Sequence, residues 1–97
     1  MTYRTADLDP DYRRDPKTND YCGRCQRDLK PGQARRWIAY ELDTHRVIHP
    51  EDFGAATADI MSRRTCLEPV VIDQIGSDCA LKVGLEFTWA DRPRVEK

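Results

Sequence analysis

Tyr21-Cys22-Gly23-Arg24-Cys25-Gln26-Arg27-Asp28-Leu29-Lys30-Pro31-Gly32 is the stretch on which the reading of this chain turns. Two cysteines stand two residues apart, and an apolar residue followed by Pro-Gly closes the loop. A tight turn over four residues brings both thiolates to one side, where they can point at a single metal ion. The remaining candidate ligands, His45, His49, Cys66 and Cys79, all lie downstream. The rest of the chain is therefore expected to fold back and complete a site begun here.

The size of the chain makes such a staple necessary. It has 97 residues, enough for one domain. Residues 1–20 hold Asp7, Asp9, Asp11, Asp15 and Asp20 against Arg4, Arg13, Arg14 and Lys17, with little that is apolar. They read as a flexible polar tail, as do residues 90–97. The domain is then residues 21–89, a length at which an apolar core alone supplies only about 3–5 kcal/mol.

Composition narrows the class. No apolar segment follows Met1, and no run approaches the roughly 18 apolar residues of a membrane span. A cytoplasmic chain is expected, and there four cysteines with one close pair favour metal over disulfides. The net charge of −1 argues against general nucleic-acid affinity. Between Tyr21 and Tyr40, however, Arg24, Arg27, Lys30, Arg35 and Arg36 face Asp28 alone.

Beyond the loop, Arg36-Trp37-Ile38-Ala39-Tyr40-Glu41-Leu42 is rich in aromatic and branched residues. Asp43-Thr44 is turn-like, and Arg46-Val47-Ile48-His49 resumes the apolar run. The pattern predicts a β-hairpin with Ile38, Tyr40 and Leu42 on one face. Its return carries His49 back toward Arg35 and Arg36, while His45 stays at the tip. Pro50-Glu51-Asp52 starts a helix over residues 50–62, with Phe53, Ala56 and Ile60 at helical spacing. Pro69–Ile75 reads as a further strand. Ser77 is the expected N-cap of a second helix, which carries Cys79 in its first turn and stops at Gly84. Leu85, Phe87 and Trp89 are expected to dock onto the sheet. The fold class is a small α+β domain: a zinc-ribbon-like knuckle plus a β-hairpin, with one or two short helices.

Cys22, Cys25 and Cys79 are the expected sulfur ligands of one structural Zn2+. The helix N-terminus should favour the Cys79 thiolate. His49 is preferred for the fourth position because the hairpin returns it toward the loop. Cys66 is the alternative on simple counting, and His45 the weakest candidate.

Cys-Gly-Arg-Cys, Val-Ile-His-Pro-Glu-Asp and Ile-Gly-Ser-Asp-Cys-Ala-Leu-Lys together resemble a group of small bacterial zinc-knuckle proteins of unknown function. These share a CxxC loop, a hairpin ending in His-Pro, and a late Gly-x-x-Cys-Ala helix. The resemblance spans Tyr21 to Trp89 and implies ligands at Cys22, Cys25, His49 and Cys79. It departs at the stretch holding Cys66, and at Gln26, where many knuckles have glycine.

Enzymatic readings fare worse. A redox CxxC belongs after a buried strand and at the head of a helix, whereas here a polar segment precedes it and Pro31-Gly32 follows. His49-Pro50-Glu51 matches the H-x-E of zinc deaminases, but their Pro-Cys-x-x-Cys comes after the histidine. A site with three thiolates and one imidazole is a closed structural site. The expected role is a non-enzymatic module for a protein partner. The alternative is a nucleic-acid module using Arg24, Arg27, Arg35 and Arg36 with Trp37 or Tyr40.

Overall fold

A computed structural model of the chain describes residues 3–10, 15–63 and 69–93. Four strands, β1 (Thr5–Asp7), β2 (Arg35–Glu41), β3 (Arg46–Ile48) and β4 (Val70–Gly76), form one antiparallel sheet in the order β1-β3-β2-β4. Helix α1 (Phe53–Arg63) connects β3 to β4, and helix α2 (Ser77–Val83) follows β4 directly. The molecule is a small α+β fold.

The alternation of β2 organises it into layers. Ile38 and Tyr40 point to one face, where they pack with Val47, Ile75, Leu8, Leu29, Cys22 and the α2 residues Cys79, Ala80 and Val83. Ala39 points to the other, among Ile48, Val70 and the α1 residues Ala56 and Ile60. Both faces are thus covered, and this explains why β2 is buried from Ile38 through Glu41. Leu42 falls in the turn and stays exposed.

The hairpin joins β2 to β3 with Tyr40 opposite Val47 and Glu41 opposite Arg46. His45 takes a left-handed φ of 56° at its tip. Pro50–Asp52 form a single 3-10 turn that runs into α1. Strand β4 pairs with β2 along its full length, from Arg35 opposite Gly76 to Glu41 opposite Val70. The α2 N-cap position falls on Gly76 rather than Ser77, without a side-chain cap. Gly84 ends α2 at φ 114°, a conformation L side chains rarely adopt. The chain then returns through a 3-10 turn at Leu85–Phe87, and Trp89 exchanges two backbone hydrogen bonds with Trp37. Trp37, Phe87 and Trp89 end half-buried, and Leu85 is exposed.

The amino-terminal segment departs from the expected solvated tail. Thr5–Asp7 pair with β3 and make the sheet edge, and Leu8 is fully buried. The His49 amide donates to the Arg4 carbonyl at 3.0 Å, and Arg4 clasps Asp52 through its own amide, Nε and Nη2. Further along, Asp28 accepts from the Lys17 and Thr18 amides, which holds its carboxyl below the usual range. A single apolar anchor and a backbone ladder therefore order a segment whose composition reads as polar. Residues 11–14 of that segment lie outside the described residues. At the other end, the Arg92 guanidinium lies 5.3 Å over the Trp37 ring and Pro93 is buried. Among the described residues, no helix is long and apolar enough to cross a membrane.

Candidate metal centre

The loop around the paired cysteines is a turn closed by its own backbone. The Cys22 amide donates to the Arg27 carbonyl at 2.9 Å, and the Gln26 amide to the Cys22 carbonyl at 2.9 Å. Tyr21 and Asp28 bridge across its base. Gln26 takes φ 61° to allow this, so the left-handed position that glycine usually fills carries a side chain here. The Arg24 amide approaches Cys22 Sγ at 3.4 Å, as a donor to sulfur.

The loop docks on the free edge of β4. Its contact is the Gly23 amide, which donates to the Gln74 carbonyl at 2.8 Å. A Cβ on Gly23 would come within 2.5 Å of Asp73 Oδ2 and 3.1 Å of the Gln74 oxygen, so only glycine permits this approach. Because β4 leads into α2 without a linker, the same docking sets the loop beside the first turn of that helix. Gly76 lies against Cys22, with an ideal Cβ there 4.0 Å from the sulfur.

Cys22, Cys25 and Cys79 consequently converge, with sulfurs within 4.8 Å of one another. Cys22 and Cys79 are buried and Cys25 is half-buried. Arg24 is 9% exposed and reaches across the cluster: its Nη1 donates to Cys79 Sγ at 3.6 Å and its Nε to the Leu8 carbonyl at 3.0 Å, while Nη2 lies 3.7 Å from Asp9. Three soft donors with a cation beside them fit a thiophilic divalent ion, since three thiolates exceed its charge by one and the guanidinium offsets the excess. For the protein without metal, burial pushes the Cys79 thiol up to about 11, against the downward pull of Arg24. Desolvation thus outweighs the contact with Arg24. A metal ion reverses that balance, because a coordinated sulfur is deprotonated.

The structure does not bring His49 to this cluster. His49 is buried, its Nδ1 accepts from the Glu51 amide at 3.2 Å, and its ring meets Phe87 edge-on at 5.2 Å. The hairpin does return toward Arg35 and Arg36 as expected, but β3 lies on one side of β2 and β4, with the loop on its outer edge, lies on the other. Two strands therefore separate the histidine from the sulfurs. His45 tilts against Tyr40 at the hairpin tip, and Cys66 lies outside the described residues. Among the described residues, the three cysteines are the group able to hold an ion.

Three of the four arginines near the loop are committed to the fold. Arg24 is described above. Arg35 bonds Asp20, Gln74 and the carbonyls of Gln33 and Lys30, which holds the Asp20 carboxyl below its ordinary range. Arg36 bonds the Thr88 hydroxyl. Arg27 is exposed. The position of Arg24 between the two cysteines was the sequence signal for a cation that offsets thiolate charge.

No protein-family model matches the chain, and comparisons with curated proteins and with solved structures return no significant match.

Proposed function

We propose that this chain is a small zinc-binding module in which one Zn2+, gripped by Cys22, Cys25 and Cys79, has a structural role. The observation that carries the reading is the convergence of three sulfurs, from two stretches far apart in sequence, at the seam between loop, β4 and α2. Cys22 and Cys79 belong to the same apolar cluster as Ile38 and Ile75, so an ion there fastens the core itself. In small domains of this kind, metal-binding free energy is folding free energy. The same reading sets the chain beside the small zinc-knuckle proteins whose motifs it resembles.

A protein partner is the favoured ligand for the outer surface, and the module has no catalytic role in this reading. Nucleic-acid binding has less support, because Arg24, Arg35 and Arg36 are spent on intramolecular bonds. The test is metal analysis of the purified chain, followed by chelation under circular dichroism. One zinc per chain and loss of the native spectrum on its removal are expected. A native spectrum after proven metal loss overturns the structural role. Titration with single-stranded RNA at two salt concentrations checks the other reading, since phosphate binding weakens steeply with salt.

A further inference from the structure

The sulfur cluster does not lie sealed in the core. It forms one wall of a cleft of about 200 Å³, whose other walls include Arg27, Gln33, Ser77, Asp78 and Lys82. This is room for several waters or one small organic molecule. Three protein ligands converge among the described residues, and zinc held by three takes a fourth from water or a bound molecule.

From the three-sulfur cluster and the cationic cleft that opens on it, we propose that the metal's fourth position binds a small thiolate carrying a second anionic group, exchangeable with solvent. This rests on the metal reading above and adds the ligand class of the same site. Sulfur is the donor that matches an ion already in a soft environment. The second anionic group is called for by the rim. Arg27 and Lys82 both line the opening, with Asp78 the one acid beside them among the described lining residues, so a carboxylate carried by the ligand meets cationic side chains there. Both rim cations are exposed, and neither has an ion pair among the described residues. Mercaptoacetate and free cysteine are of the scale of this cleft.

The experiment loads the full chain with Co2+, whose visible bands report ligand type and number, and titrates it with mercaptoacetate, with neutral 2-mercaptoethanol and with acetate. Mercaptoacetate is expected to shift the bands saturably and to bind at least about tenfold more tightly than 2-mercaptoethanol, as a charge-assisted contact provides. Acetate should be the weakest. The Arg27→Ala/Lys82→Ala double variant, altered only at exposed side chains, should erase the preference while its unliganded Co2+ spectrum stays unchanged. Bands that ignore all three probes, or equal response to the two thiols, overturn the proposal and leave the metal site standing. A starting spectrum that changes in Cys66→Ser or His49→Ala means the chain supplies its own fourth ligand, and this also overturns it. Failure of Co2+ and Zn2+ to bind at all removes the underlying metal reading with it.

Discussion

The Gly23 amide and the Gln74 carbonyl meet at 2.8 Å, and this hydrogen bond docks the cysteine loop on the outer edge of the sheet. Everything at the candidate metal centre follows from that junction, because it sets Cys22 and Cys25 beside the helix that starts three residues after Gln74. Gly23→Ala drives a methyl into Asp73 and against the Gln74 backbone. The expected cost is about 1–3 kcal/mol in thermal or urea unfolding, as for other overpacked sites. Metal retention in a chelator competition should fall with it. Unchanged affinity would mean that the loop holds the ion without its dock.

Replacing any of Cys22, Cys25 or Cys79 by serine should abolish stoichiometric zinc, read by elemental analysis of the purified protein. His49→Ala should behave differently. It removes the acceptor for the Glu51 amide and the ring against Phe87, at a cost of about 1–2 kcal/mol, yet leaves one zinc per chain. Loss of zinc in that variant would contradict the placement of His49 away from the sulfurs.

Much of this was legible in sequence, and the failures share a cause. The hairpin, the helix after Pro50, the strand before Gly76 and the helix stopped by Gly84 all announce themselves through local period and punctuation. Two matters were not local. Thr5–Asp7 carry no apolar alternation, and they become a strand only because β3 offers a ladder and Leu8 finds a buried site. The side of β2 chosen by β4 is likewise a long-range decision. It separates His49 from the cysteines even though the hairpin that carries it was correctly read.

Arg4 and Asp52 fasten the first strand to the start of α1, and their hydrogen bonds hold the Asp52 carboxyl down at about 2. A folded-state value below the ordinary 3.8 means the contact contributes fully above that pH and is lost as pH falls toward 2. An NMR titration should show this midpoint for Asp52, restored to the ordinary range by Arg4→Ala. Amide exchange across Thr5–Asp7 should accelerate in the same variant and in Asp52→Asn.

Burial raises the Cys79 thiol to about 11 in the protein without metal, so its native state holds the proton more tightly than the unfolded chain does. The stability this represents is present below the ordinary thiol value of about 9 and disappears as pH climbs through 11. Any native structure that survives chelation should therefore lose stability over that alkaline window, and Cys79→Ala should flatten the loss. Zinc binding runs the other way with pH: affinity should rise from pH 6 to 8 as thiol protons become easier to displace, measured by competition with a chelator at each pH.

The loop that carries Cys22 and Cys25 also stands guard over a vulnerable border. Strand β4 is seven residues long, and its outward row of backbone groups is an invitation to other chains unless something occupies it. The opposite border is only three residues, too short to recruit much. Metal starvation would thus do more than loosen a core: by freeing the loop it would bare the longer border and offer it as a template to other chains.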